Sequence, residues 1–295
     1  MPPRVAITLI TLLEPLLQET DRSVPIFQQV LSVVRFIAAG SYQQAVSEEN
    51  LHPMSQATFS KYLHNVVPAI NALADQYIIF PRNHAERVLI QDSFQERLGF
   101  PGVIGALDCT LIIIMRPHRN EEAYIDHRRN HSLNVQNVCD TNYNIMNLRV
   151  TSGSTHDAFV FKYFTMRAHM DNLRSDDGYT PSSVLLTAVQ SANRGTPEFE
   201  FSQSLRATRC VVEQTIGVWK QICRCVNKER VLHHQPRFVA NIIKAAGVFY
   251  NFLRHKGLAV PVAPHRDEEI FYEPIRNNEY RVGLREKRQI MERYF

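Results

Sequence analysis

Asp108 closes the apolar run Phe100-Pro101-Gly102-Val103-Ile104-Gly105-Ala106-Leu107. A carboxylate at the exit of a buried strand is costly unless something pairs with it, and a divalent metal ion is a natural partner. Read locally, the same residue could instead cap a turn, Asp108-Cys109-Thr110. A second apolar run, Leu111 to Met115, comes next, and then Ser132 to Asp140 alternates in and out. Far downstream, Glu213 lies in a helical stretch. A strand-borne Asp, later acids and a helix-borne Glu are the parts of a two-metal phosphoryl-transfer site. Carboxylates suit that chemistry because Mg²⁺ and Mn²⁺ are hard ions that prefer oxygen.

The elements that must position these acids can be read from periodicity and punctuation. Val5 to Leu17 is apolar but interrupted by Glu14 and Pro15, too short to span a bilayer, and reads as a helix packed on the body. From Ile26 to Ala39 the apolar residues recur at helical spacing, and Gly40 closes the helix. Ser41 to Val46 reads as a short helix. Ser55 then caps another, Gln56 to about Val67, with Pro68 near its end. A long helix, a short one, a turn and a helix offering Gln56, Thr58, Ser60, Lys61 and His64 is a helix-turn-helix layout, although a plain helical bundle would read the same. Ala72 to Ile79 and Ala85 to Leu98 extend the helical region to the Pro101 boundary.

Gly102 to Val150 reads as three strands, the third at Ile145 to Val150. Asp157 to Met170 reads as a helix, Ser175 to Pro181 as a loop, and Val184 to Val189 as a short apolar stretch. A polar segment, Ser191 to Gln203, leads into a helix from Leu205 to Val226, and a last helix runs from Arg237 to Leu253. Strands, a helix, a short strand and then helices is the order of a ribonuclease-H-like domain. Its first strand and last helix bring acids together, so that two metal ions about 3.5–4 Å apart can clamp the attacking and leaving oxygens. The expected fold is therefore α/β: an RNase H-like catalytic domain with a mixed sheet flanked by helices over 101–260. An all-helical region over 1–100 precedes it, with the helix-turn-helix-like unit at about 26–70, and a charged tail follows over 261–295.

The chain has 295 residues, 44% of them hydrophobic and 21% charged, enough to bury a core and ordinary for a globular protein. A net charge of +4 permits nucleic-acid binding without arguing for it. Five scattered cysteines argue against a disulfide framework, and Cys223-Arg224-Cys225 lacks the spacing and second pair that a zinc site needs.

Several blocks together resemble PIF/Harbinger-type transposases and the nucleases domesticated from them. They are Gly102 to Thr110, His131 to Asp140, Gly153-Ser154-Thr155-His156-Asp157, Gly195-Thr196-Pro197-Glu198, Thr208 to Glu213, Gly217-Val218-Trp219-Lys220 and Arg224-Cys225. Gly40-Ser41-Tyr42-Gln43 and Pro53-Met54-Ser55-Gln56 are similar to that family's helix-turn-helix region. The resemblance implies a DDE metal triad holding Mg²⁺ or Mn²⁺, DNA as substrate, residence in the nucleus and a Myb-like DNA-binding partner protein. Carried over position by position, the first acid is Asp108 and the third Glu213. The second falls in a Gly-Asp-Ser-Gly-Tyr-Pro block whose best match is Ser175-Asp176-Asp177-Gly178-Tyr179-Thr180, which makes it Asp176.

The chain departs from the family in one place. An apolar strand should precede that Asp, and Met170-Asp171-Asn172-Leu173-Arg174 stands there instead. Alternatively, Val184-Leu185-Leu186 is the missing strand and the second acid has been deleted before Thr187. The two alignments carry two functions, a metal-dependent DNA endonuclease or an inactive descendant kept as a DNA- or protein-binding module. Among the remaining side chains, Arg128, Arg129 and His131 could meet phosphates or form a solvated loop. Asp140 reads as a turn residue before Asn142, and His156-Asp157 as a helix cap with a secondary role near the metals. Trp219 reads as core and His233-His234 as structural.

Overall fold

In a computed structural model of the chain, residues 1–17, 24–40, 54–155, 194–258 and 291 are described. They form helices α1 (Pro3–Leu13), α2 (Ile26–Ala39), α3 (Gln56–Ala72), α4 (Ala74–Tyr77) and α5 (His84–Leu98). Strands β1 (Ala106–Ile113), β2 (Ser132–Cys139) and β3 (Ile145–Ser152) follow, then helices α6 (Pro197–Ile222) and α7 (Pro236–His255). The segments expected at Ser41–Val46, Asp157–Met170, Ser175–Pro181 and Val184–Val189, and the tail from Pro261 apart from residue 291, lie outside these residues.

Helix boundaries follow local chemistry. Gly40 ends α2 in the left-handed region (φ 63°), and a side chain there would meet the Arg224 backbone at 2.7 Å. The Ser55 oxygen accepts the Thr58 amide at 3.1 Å to start α3, and Asn83 accepts Glu86 N at 2.9 Å to start α5. Two boundaries differ from expectation. The third helix runs through Pro68 to Ala72, because Pro68 lies on the exposed side, where the His64 carbonyl it cannot bond faces water. Helix α6 starts at Pro197 rather than Leu205. Thr196 caps it through Phe199 N at 3.3 Å, Pro197 occupies its first turn, and Glu198 and Glu200 meet the positive end of the helix dipole.

The strands pair antiparallel in the order β1-β2-β3. One face carries Ala106, Asp108, Thr110 and Ile112 of β1, opposite Cys139, Asn137, Val135 and Leu133 of β2. Helix α6 packs on this face across β1 and β2, while α7 packs on β3, where a side chain at Gly247 would press on Leu148 at 2.8 Å. A smaller apolar cluster on the opposite face joins Leu107, Val138 and Met146 to Phe80 and Ile90 of the helical region. Every residue of the central strand β2 is buried, including Ser132, Asn134, Gln136 and Asn137.

The N-terminal helices and the sheet share one apolar core. It runs from Val5, Leu9 and Leu13 of α1 through α2 and α3 to Val135, Trp219 and the α7 residues Ile242, Phe249 and Phe252. Helix α3 lies between α2 and α7, leaving Ala57, Lys61, His64 and Pro68 as its exposed stripe.

Candidate functional site

Strand β1 runs from Ala106 through Asp108 to Ile113, so Asp108 is its third residue rather than its exit, and Asp108-Cys109-Thr110 is not a turn. Pairing with β2 overrides the local turn preference, since these residues face Asn137, Gln136 and Val135 in register. The carboxylate is buried, with 6% of the residue exposed. It is close enough to Cys139 to help raise that thiol, whose burial is the larger cause.

Helix α6 carries Glu213 above the same sheet face. The Cys139 thiol is hydrogen-bonded to Thr215, and Lys220 donates from Nζ to Thr110 Oγ1 at 2.7 Å and to the Leu111 carbonyl at 3.4 Å. Positions 215 and 220 of the helix thus flank the Asp108 level of the strand. Glu213, Gly217 and Lys220 share one partly exposed helical stripe, and Arg209 Nε contacts Glu213 Oε1 at 3.1 Å one turn earlier. Asp176 lies outside the described residues. Among the described residues, no three His, Cys, Asp or Glu side chains gather as a metal-holding group.

Asn137, which the sequence reading passed over, lies directly across from Asp108. It is fully buried; its Nδ2 donates to the Val135 carbonyl at 3.4 Å, while its Oδ1 accepts no hydrogen bond among the described residues. A polar residue at an inward position among Leu133, Val135 and Cys139 was the available signal. An orphaned amide oxygen beside a buried carboxylate is a donor set that suits a hard divalent cation.

The expected nucleic-acid contacts are dispersed. Lys61 is exposed on α3. His64 beside it stacks on Phe238 at 3.9 Å, and His234 meets Phe238 edge-on at 5.1 Å. Burial, with help from His64 and His233, pushes His234 down to about 4, which fits a structural residue. Arg128 and Arg129 are exposed on a tight loop whose backbone is held by Asp126, its Oδ1 accepting Arg128 N and Asn130 N at 2.9 Å each. His131 is engaged by Glu121 at 2.8 Å, and with Arg116 at 2.6 Å it holds that carboxyl below the ordinary range. Asp140 organises the β2–β3 turn by accepting from Asn142 N and Asn144 N at 2.8 Å. Trp219 is wholly buried. His156 and Asp157 lie outside the described residues.

The profile of the DDE superfamily endonucleases matches residues 107–251. The protein named "Putative nuclease HARBI1" of Rattus norvegicus is 28% identical over 256 residues, covering 83% of this chain and 72% of that relative. Its Homo sapiens counterpart gives the same figures, and the Xenopus laevis protein is 27% identical over 270 residues, 86% of this chain and 77% of its own. No solved structure matches the chain. Nearly all of the sheet, α6 and most of α7 fall within the matched span, so this part of the chain is a DDE superfamily endonuclease domain, homologous to the proteins named putative nuclease HARBI1.

Proposed function

We propose that the chain is a metal-dependent DNA endonuclease, built as an RNase H-like catalytic domain over 101–260 behind a helical region over 1–100. Its helix-turn-helix-like unit at about 26–70 and its 261–295 tail belong to the same reading. The observation that carries it is the placement of buried Asp108 under α6, the helix that bears Glu213, inside a DDE endonuclease domain. Enzymes of this superfamily generally use divalent metals, and Asp108, Asp176 and Glu213 would hold them here. Bound Mg²⁺ or Mn²⁺ supplies a lowered pKa for the attacking water and charge neutralisation at the departing 3′ oxygen.

The chain's own groups supply the rest. Pairing with β2 fixes the backbone of β1 at Asp108, and burial limits the space open to its side chain, which is what preorganisation requires. Arg209 restrains the Glu213 carboxylate, and Lys220, anchored on Thr110, places a cation on the same helical stripe, where a phosphodiester would carry negative charge. Lys61, Arg128 and Arg129 supply further backbone contacts to DNA. Nuclear residence and a Myb-like DNA-binding partner complete the proposal, on the strength of the family resemblance.

The test is Mn²⁺-dependent nicking of supercoiled plasmid by the wild type and by Asp108→Asn, Glu213→Gln and Asp176→Asn, each checked for folding by circular dichroism. Asp108→Asn and Glu213→Gln are expected to fold and to fall to background. Wild-type nicking by folded Asp108→Asn would refute the mechanism. Nicking retained by Asp176→Asn alone would show that the second acid lies elsewhere. A wild type without activity would favour a DNA- or protein-binding module.

A further inference from the structure

The row Asp108–Asn137–Leu148 crosses all three strands on the face beneath α6 and α7. Opposed residues of neighbouring antiparallel strands project to the same side with Cβ atoms about 4.5–5.5 Å apart. The Asn137 side chain therefore lies beside the Asp108 carboxylate, and both are buried.

The orientation of the Asn137 amide is set by its own strand. Nδ2 faces the Val135 carbonyl, and exchanging the two amide atoms would put oxygen against oxygen there. Oδ1 is thereby left as a buried acceptor with no hydrogen bond among the described residues. Such a group ordinarily costs about 1–3 kcal/mol, so it is retained where something else satisfies it. A hard divalent cation held at Asp108 would supply that acceptor with a partner.

We propose that Asn137 Oδ1 is a neutral oxygen donor to the divalent cation held at Asp108, a proposal that rests on the metal-dependent reading above. A neutral amide suits the position. A second carboxylate there would repel Asp108 and raise its pKa in the metal-free protein, whereas an amide adds a ligand oxygen without that penalty. The strand then presents a charged and an uncharged oxygen from adjacent chains, both fixed by ladder pairing rather than by a loop.

Thermal unfolding against Mn²⁺ concentration, with no DNA present, tests this in wild type, Asp108→Asn, Asn137→Leu and Asn137→Asp. The wild type is expected to gain melting temperature with Mn²⁺, and Asp108→Asn to lose that gain. Asn137→Leu removes the orphaned acceptor at similar volume. It is expected to melt at or above the wild type without metal, yet to need about tenfold or more Mn²⁺ for the same rise. Asn137→Asp is expected to melt lower without metal and to rise more steeply with it. A folded Asn137→Leu with the wild-type Mn²⁺ response overturns the proposal while leaving Asp108 as a ligand. If Asn137→Leu does not fold, an Asn137→Asp response equal to wild type overturns it instead. A wild type with no response to Mn²⁺ overturns both this proposal and the metal-dependent reading.

Discussion

Asn251 joins the three parts of the molecule, and replacing it with leucine should cost more than any surface change. The residue is wholly buried on α7. Its Nδ2 donates to the carbonyls of Tyr77 and Ile145 at 2.7 Å each, and its Oδ1 accepts Ile145 N at 3.0 Å. One amide thus ties α7 to the end of α4 and to the first residue of β3, just beyond the register shift at Val138/Cys139. Asn251→Leu keeps the volume but removes three hydrogen bonds, each worth about 0.5–1.5 kcal/mol net, and strands an N–H and two carbonyls in a dry interior. The expected loss is about 3–5 kcal/mol, a large part of a typical folding free energy. With a urea dependence of about 3 kcal/mol/M, the midpoint should fall by roughly 1–1.7 M.

Equilibrium urea unfolding can follow two probes. Trp219 is the sole tryptophan and reports the sheet and α6 by fluorescence, while far-ultraviolet circular dichroism weighs all the helices. Because one apolar core spans α1 to α7, the two transitions should coincide in the wild type and move together in the variant. A midpoint within about 0.3 M of wild type, equivalent to about 1 kcal/mol, would refute the clamp. Separate transitions would show that the helical region and the sheet fold independently.

Two other predictions concern charge. His234 titrates near 4 when folded and near 6.5 when unfolded, so the unfolded chain binds the proton first and stability should fall as pH drops from 6.5 toward 4. Allowing for its partial exposure, His234→Phe should remove about 1–2 kcal/mol of that fall; denaturation at pH 7 and pH 4.5 with an unchanged difference would refute this. For DNA, Arg128→Gln with Arg129→Gln should flatten the dependence of log affinity on log salt by about 1.8, at about 0.9 per phosphate contact. An unaltered slope in fluorescence-anisotropy titrations would return that loop to a solvated role.

Much of the architecture is written locally. Gly40, Ser55, Asn83 and Thr196 mark helix ends through hydrogen bonds within three or four residues, so their meaning survives without the rest of the fold. The alternation from Ser132 to Cys139 likewise specifies a strand, and Asp140 a turn. The late start expected for α6 was a misreading of legible signals, since Pro197 with Glu198 and Glu200 is an ordinary helix opening. The position of Asp108 was not legible in the same way. Its neighbours Cys109 and Thr110 suit a turn as well as a strand, and only the ladder with β2 decides between them.

The proposed acids Asp108 and Glu213 could be singled out from residue type, spacing and resemblance, because the proposed metal-using endonuclease would carry carboxylates on a strand and a helix. Nothing in the chain order could say which neutral residues would stand beside them. Asn137 is one asparagine among several in its block, and Asn251 one polar residue in an apolar helix. Their importance arises from burial and register, which are properties of strands and helices brought together from far apart in the chain. The sequence by itself determined most element types among the described residues, the helix ends at Gly40 and Ser55 and the family of the catalytic domain, all of which depend on short-range chemistry and composition. The tertiary structure alone decided that Asp108 sits inside a strand and faces an orphaned amide oxygen, because the cost of burying a polar atom exists only once the surrounding core has closed around it.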